Sequence, residues 1–95
     1  MTTVTLTRED HIGIITINNP PINATSHPVR AGIVDALDQI DHDPAIRIAI
    51  LICGGKTFIA GADVTEFGQP PKDPILPDVI KRLEAATKPV IAAIH

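Results

Sequence analysis

The sequence predicts an α/β fold, and three observations support this class. Runs of β-branched and aliphatic residues alternate with a stretch of helical periodicity, and proline or glycine separates the runs. The almost unbroken apolar run 46–53 is typical of a strand inside a parallel sheet. Taken along the chain, the predicted order is β-β-α-β-α-α-β, for which right-handed crossovers are expected.

Two apolar runs at the start of the chain predict a β-hairpin. Val4 and Leu6 belong to the first run and residues 12–17 to the second, while the polar residues Arg8–Asp10 suit the turn between them. The pair Pro20–Pro21 ends the second strand, because proline cannot donate a hydrogen bond to a neighbouring strand. We therefore expect an antiparallel pair of short strands.

A helix follows the hairpin. Thr25 or Ser26 is suited to cap it, Pro28 fits its first turn, and Pro44 disfavours helical backbone in the residue before it. Apolar residues recur at helical spacing and predict one buried face: Val29, Ile33, Leu37 and Ile40.

The second half of the chain predicts two buried strands with helices between them. The first strand, 46–53, is expected to be covered on both faces, and residues 61–68 suit a short helix ended by glycine. Pro77 opens a further helix, and residues 90–94 form the second strand. The apolar residues of that further helix are expected to face inward: Val79, Ile80 and Leu83.

Composition excludes several classes of function. With 8 Lys and Arg against 11 Asp and Glu the net charge is −3, and Trp and Tyr are absent, so nucleic-acid binding by bulk charge or base stacking is disfavoured. One cysteine allows neither an internal disulfide nor a multi-thiolate zinc site. Neither a leader-like start nor an apolar stretch of about 18 residues is present, so no membrane partner and a cytoplasmic location are expected.

The apolar strand at the end of the chain predicts a longer protein. Residues 90–94 read as a strand entering a core, with no polar tail after it, whereas chain ends usually lie in exposed segments. We therefore expect residues 1–95 to be the N-terminal part of a larger domain, which leaves self-association or the remainder of a full-length chain as partners for its exposed surfaces.

Most of the sequence motifs tested do not fit. Gly55–Thr57 has the end of a phosphate-binding loop, but Ile50 stands where that motif requires glycine. A glycine-rich dinucleotide fingerprint is also missing, and the scattered histidines have no metal-ligand spacing, so no metal site is predicted. Those histidines are His11, His27, His42 and His95.

Residues 56–64 are the best candidate for a binding site. A strand end passes through Ala60, Gly61 and Ala62 into the start of the short predicted helix, with Asp63 as its cap. The first amides of a helix lack intrahelical acceptors, and small side chains let a ligand approach the backbone. The segment is suited to an anion or oxyanion, although tight packing between strand and helix would explain the same residues.

Four stretches of the chain together resemble the crotonase superfamily, the enoyl-CoA hydratase/isomerase fold. They are the leading hairpin, residues 19–24 (NPPINA), the run 50–64 and residues 88–94 (KPVIAAI), and they occur in the order expected for this family. Residues 66–71 (EFGQPP) are most similar to the hydratase part of bacterial bifunctional enoyl-CoA hydratase/3-hydroxyacyl-CoA dehydrogenases. The resemblance covers the whole chain and implies a crotonase-like ββα superhelix, of which this chain is the N-terminal portion.

The resemblance also implies a set of site residues. The backbone N–H of Ala62 would be one of two donors to the thioester oxygen of an acyl-CoA substrate. The coenzyme A channel would be lined by main-chain groups of the same segment and bordered by the loop after the hairpin: Ala60, Gly61, Asp63 and Val64, with Ala24 opposite. Coenzyme A would enter as part of the substrate, with no covalently bound cofactor.

The implied reaction is hydration of 2-enoyl-CoA in fatty-acid β-oxidation, or isomerisation of its double bond. In this family the second oxyanion donor and the acid/base carboxylates come from later in the chain, so residues 1–95 alone are expected to be inactive. Asp63 is expected to serve as a cap, and Glu66 to point to solvent or to that cap. Two alternatives remain: a non-catalytic acyl-CoA or nucleotide-binding module, and a purely structural interaction module.

Overall fold

A computed structural model describes residues 3–20, 23–55, 58–59, 66, 68, 70 and 72–94. Within these residues the chain forms four strands and two helices in an α/β arrangement, as predicted. In chain order they are β1 (Val4–Glu9), β2 (Ile12–Ile17), α1 (His27–Asp41), β3 (Ile48–Cys53), α2 (Leu76–Glu84) and β4 (Val90–Ala93). The short helix predicted over 61–68 lies almost entirely outside the described residues.

The four strands form one mixed sheet in the order β1-β2-β3-β4. β1 pairs with β2 antiparallel, whereas β2 with β3 and β3 with β4 pair parallel. Parallel neighbours need a crossover connection, and α1 and α2 provide the two crossovers. This topology places the carboxyl ends of β2 and β3, where Ile17 pairs with Cys53, at the same edge of the sheet.

The hairpin is confirmed, but its turn lies later than predicted. Strand pairing continues through Arg8 with Gly13 and Glu9 with Ile12, so only Asp10 and His11 turn the chain. Asp10 has a φ of 55°, in the left-handed region that aspartate tolerates better than most residues. The prediction that Arg8 and Glu9 belong to the turn was wrong, because polar side chains on an exposed strand resemble a loop in sequence.

β3 also differs from its prediction. The strand begins at Ile48 rather than Ile46, and its burial alternates: Ala49, Leu51 and Cys53 are buried, while the residues between them are half-buried. The helices pack on the face that carries the buried residues. The expectation that both faces are covered is therefore wrong for the described residues.

The core lies between this face of the sheet and the two helices. Residues from β2, α1, β3 and α2 form one cluster, listed by their near-complete burial: Ile15, Ile17, Val29, Ile33, Ala36, Leu37, Ile40, Ile46, Ala49, Leu51, Cys53 and Val79. Gly32 lets α1 approach β1, since a Cβ at this position would lie 2.6 Å from the Cβ of Val4. None of the helices in the described part of the chain is long and apolar enough to cross a membrane.

The C-terminal end of α1 is joined to α2 by the Arg82 cluster, which comprises Arg82, Asp38, Asp41 and Thr87. Arg82 Nε lies 3.0 Å from Asp38 Oδ1, Arg82 Nη2 lies 2.5 Å from Asp41 Oδ2, and Thr87 Oγ1 donates to Asp41 Oδ1 at 2.8 Å. Burial acts to raise the pKa of Asp41, but the hydrogen bonds from Arg82 and Thr87 outweigh it and hold that pKa below its usual value. The cluster fixes how the two helices pack.

Candidate functional site

Of the six site residues that the resemblance implies, the structure describes Ala24. It is half-buried in the loop between β2 and α1, where its carbonyl oxygen accepts hydrogen bonds from Asn19 Nδ2 and from the Ser26 N–H, both at 2.9 Å. The other five lie outside the described residues: Ala60, Gly61, Ala62, Asp63 and Val64. The geometry of this region is therefore read from the residues on either side of them.

Two asparagines hold the Ala24 loop in place. The Asn23 N–H donates to Asn19 O and the Asn19 N–H donates to Asn23 Oδ1, each at 2.8 Å. Asn23 has a φ of 55°, which asparagine tolerates, and its side chain donates to Gly54 O at 3.0 Å. The loop is thus tied to the residue that follows β3, at the edge of the sheet where residues 58–66 begin.

Arg30 joins the same loop to two later segments. It is 8% exposed, and its Nη1 donates to Thr25 O at 2.7 Å and to Glu66 Oε1 at 3.1 Å. Its Nε donates to Pro74 O at 2.7 Å and its Nη2 to Lys72 O at 3.3 Å. These five groups form what we name the Arg30 cluster: Arg30, Glu66 and the carbonyl groups of Thr25, Lys72 and Pro74. One guanidinium group therefore connects α1 to the Ala24 loop, to Glu66 and to residues 72–74.

Glu66 was expected to point to solvent or to the Asp63 cap, but its carboxylate is directed at the start of α1. Its Oε2 accepts a hydrogen bond from the His27 N–H at 2.8 Å, while its Oε1 receives Arg30, and its side chain is 31% exposed. His27 is the first residue of α1, so the carboxylate lies at the positive end of the helix, which favours negative charge. The N-cap is Ser26, as predicted, but its side chain makes no capping hydrogen bond, and Glu66 supplies an acceptor there instead.

A cleft separates α2 from the sheet beside this loop. It has a volume of about 450 Å³ and its lining is almost entirely apolar. The lining residues are Thr25, Ile33, Leu51, Ile59, Leu76, Val79, Ile80 and Leu83. Thr25, which follows Ala24 in the sequence, and Ile59, which precedes Ala60, thus line the same cleft.

Cys53, at the end of β3, is buried and carries a free thiol. Burial raises the pKa of this thiol, although a hydrogen bond from the Ile59 backbone opposes the shift. A raised pKa keeps the sulfur protonated and a poor nucleophile. Among the described residues, no group of three or more His, Cys, Asp or Glu side chains is placed to hold a metal ion.

The Arg30 cluster was not found from the sequence, although one signal was present. Arg30 lies on the apolar stripe of α1, three residues before Ile33 and seven before Leu37, where a charged residue requires a buried partner. The partner is 36 residues away along the chain. A charged residue at a buried helical position predicts that a partner exists, but it does not predict which residue that partner is.

Comparison with known proteins identifies the family. The family model described as enoyl-CoA hydratase/isomerase matches residues 7–95. The chain is 40% identical over 85 residues to a peroxisomal bifunctional enzyme of Danio rerio, covering 88% of this chain and 12% of that protein. It is 34% identical over 102 residues to a probable enoyl-CoA hydratase of Bacillus subtilis (strain 168), covering 100% of this chain and 40% of that protein.

Solved structures show the same relationship in three dimensions. An enoyl-CoA hydratase from Mycobacterium tuberculosis H37Rv aligns with a TM-score of 0.87 at 36% identity, covering 100% of this chain and 38% of that one. An enoyl-CoA hydratase/carnithine racemase from Magnetospirillum magneticum aligns with a TM-score of 0.88 at 33% identity, covering 99% and 39%. The predicted crotonase-like fold is confirmed, as its N-terminal portion.

The chain spans 40% or less of the length of these relatives. Within that span, the family match includes both the Ala24 loop and residues 60–64. The chain belongs to the enoyl-CoA hydratase/isomerase family.

Proposed function

We propose that this chain forms part of an enzyme that hydrates 2-enoyl-CoA thioesters, as in fatty-acid β-oxidation. The main support is that the family match spans residues 60–64, while hydrogen bonds join the residues beyond that segment to the Ala24 loop. In this proposal the Ala62 N–H is one oxyanion donor, and the channel for coenzyme A is lined by Ala24, Ala60, Gly61, Asp63 and Val64.

The chemistry requires such a donor. Adding water across the double bond of an enoyl thioester passes through an enolate-like state, in which negative charge develops on the thioester oxygen. A fixed N–H aimed at that oxygen stabilises the transition state more than the ground state. In other enzymes, removing one such donor raises the barrier by about 3–4 kcal/mol.

Glu66 is not proposed as the acid or base of the reaction. Both of its carboxylate oxygens accept hydrogen bonds from α1, from the His27 N–H and from Arg30. We propose instead that the second oxyanion donor and the acid/base carboxylates lie outside residues 1–95, and that this chain alone does not turn over substrate. The substrate is an acyl-CoA thioester, and no covalently bound cofactor is proposed.

Replacing Ala62 in the complete protein tests the proposal. Ala62→Pro deletes the N–H, so the rate of hydration of a short 2-enoyl-CoA should fall by about 10²–10³-fold. Ala62→Gly keeps the N–H and is the matched control, with activity close to that of the parent protein. Coenzyme A binding and thermal unfolding are measured for both variants, to separate loss of a donor from loss of the fold.

The same experiment distinguishes the alternatives. A structural interaction module would show no hydration, and Ala62→Pro would change only its stability. A non-catalytic binding module would bind coenzyme A without turning over the enoyl thioester. Full activity in a folded Ala62→Pro protein would contradict the proposed role of this N–H.

A further inference from the structure

We propose that Arg30 and Glu66 are positioning residues, which set the distance between the two loops that bound the acyl-CoA site. This inference rests on the proposed function, because it gives Arg30 and Glu66 a role in positioning the loops of the proposed acyl-CoA site. It concerns residues that act through the backbone of other residues and do not touch the substrate themselves.

Arg30 holds loops rather than regular elements. Of its four hydrogen bonds, three go to backbone carbonyls, those of Thr25, Lys72 and Pro74. These residues lie outside the helices and strands, where no neighbouring strand fixes the backbone position. A guanidinium group presents its donors in a rigid planar fork, so it fixes the relative positions of several acceptors at once.

Glu66 lies close in sequence to the segment that is proposed to form the opposite wall of the site. It follows Ala62 by four residues, so the two Cα atoms are at most about 14 Å apart. Thr25 directly follows Ala24, and Arg30 Nη1 contacts both Thr25 O and Glu66 Oε1. Glu66 is therefore joined to the end of the Ala24 loop in two ways, through Arg30 Nη1 and through the His27 N–H.

Precise positioning is a reasonable purpose for this cluster. A buried ion pair contributes little net stability compared with apolar residues of similar size, because both charges lose their hydration. Its strict geometry can instead fix one arrangement of the chain. Misplacing a catalytic group by about 1 Å costs on the order of 10²-fold in rate, so a support that prevents small loop shifts affects turnover directly.

The test compares variants of the two arginine clusters in the complete protein. Glu66→Ala removes both acceptors, Glu66→Gln keeps an acceptor oxygen without charge, and Arg30→Lys keeps the charge but loses the fork. Arg82→Lys makes the same change in the Arg82 cluster, whose arginine binds Asp38 and Asp41 on α1, and is the matched control. Hydration kinetics, the carbonyl stretch of a bound saturated acyl-CoA thioester and backbone hydrogen exchange are measured for each variant.

We expect Glu66→Ala to lower kcat about tenfold or more with KM changed less than about threefold, because the donor is displaced more than the binding surface. The carbonyl stretch should move toward its value in water, and amides in residues 23–26 and 58–74 should exchange faster. Glu66→Gln should keep most of the parent kcat, whereas Arg30→Lys should lower kcat nearly as much as Glu66→Ala does. Arg82→Lys should leave all three measurements as in the parent protein.

The hydrogen-exchange measurement decides the inference independently of catalysis. Unchanged exchange in both loops, or a parent-like kcat and carbonyl stretch in folded Glu66→Ala, would overturn the positioning role. If Glu66→Ala does not fold, Arg30→Lys serves in its place, with the same outcomes. A different result would overturn the proposed function itself. In that case the hydrogen-exchange data would show that the cluster holds both loops, but the parent protein would neither hydrate enoyl-CoA nor shift the thioester carbonyl stretch.

Discussion

The two ends of α1 are each held by an arginine, but the two arginines bind different kinds of group. At the N-terminal end Arg30 binds three backbone carbonyls and Glu66, and its side chain is 10% exposed. At the C-terminal end Arg82 binds the carboxylates of Asp38 and Asp41 and is 20% exposed. The first cluster arranges loops beside the candidate site, whereas the second joins two helices of the scaffold.

One end of α1 thus holds loops, and the other end holds a second helix. Carboxylates on α1 and an arginine on α2 stabilise a contact between elements that already have their own backbone hydrogen bonds. Loops lack the continuous backbone hydrogen bonding of helices and strands, so their position depends more on side chains, and a buried arginine is suited to that task. The comparison predicts that disturbing the two ends of α1 has unequal consequences.

The largest expected effect is that of Arg30→Met. The change removes the hydrogen bonds from Arg30 to Glu66 and to the carbonyls of Thr25, Lys72 and Pro74, so the free energy of unfolding should fall by about 2–4 kcal/mol. Arg82→Met is the matched control, with a smaller expected loss of about 1–2 kcal/mol, since Asp38 is 56% exposed and the 12% exposed Asp41 keeps its hydrogen bonds from Thr87. Urea unfolding of both variants measures the difference, and equal losses would remove the proposed distinction between the two ends.

A smaller effect is expected between the two ends, at Gly32. Exchange of glycine for alanine within a helix normally stabilises it by about 1 kcal/mol. Here the new Cβ would lie 2.6 Å from the Cβ of Val4, so α1 must move away from β1. Gly32→Ala should therefore lower the free energy of unfolding by about 1–3 kcal/mol, while the activity per folded molecule is unchanged.

Gln39→Ala provides the control for Gly32→Ala, because Gln39 is exposed on the same helix and its side chain donates to exposed Asp35. We expect it to change stability by less than about 0.5 kcal/mol in urea unfolding. If Gly32→Ala were instead stabilising, the close packing of α1 on β1 would be disproved. A loss of activity per folded molecule would show that the middle of α1 also controls the loops.

Much of the fold could be predicted because its signals are local. The apolar run of β2 and the helical spacing of Val29, Ile33 and Leu37 each lie within one element. The structure buries Ile15 and Ile17 of that run and all three helical residues. The boundaries were less certain, because they depend on the neighbouring strand. Glu9 pairs with Ile12, but its polar side chain is as typical of a turn as of an exposed strand end.

For the candidate site, the sequence predicts which segments take part but not which contacts they make, and five of the six site residues lie outside the described residues. Resemblance to the family placed the Ala24 loop and residues 60–64 at one site, and no local pattern would have done so. The pair Arg30 and Glu66 is separated by 36 residues, and the Asn23 contact with Gly54 O by 31. Such contacts arise when the crossover helix brings loops together at the end of the sheet, so they follow from the folded topology rather than from spacing.

The smallest expected effect is a pH dependence at the Arg82 cluster. Asp41 is partly buried, which alone would raise its pKa, but hydrogen bonds from Arg82 and Thr87 lower it below its usual 3.8. The folded state therefore binds the Asp41 proton more weakly than the unfolded state. This contribution to stability is fully present above the unfolded pKa and is lost as the pH falls through the folded one.

Asp41→Asn in the complete protein checks this linkage. The variant should be less stable than the parent near neutral pH, and the difference should shrink as the pH falls below about 4, where protonated Asp41 resembles asparagine. Asp35→Asn, on the exposed face of the same helix, should show a much smaller difference at any pH. If the difference in unfolding free energy between Asp41→Asn and the parent stays constant down to about pH 2, packing rather than charge holds the C-terminal end of α1. The two arginine clusters would then differ only in how deeply they are buried.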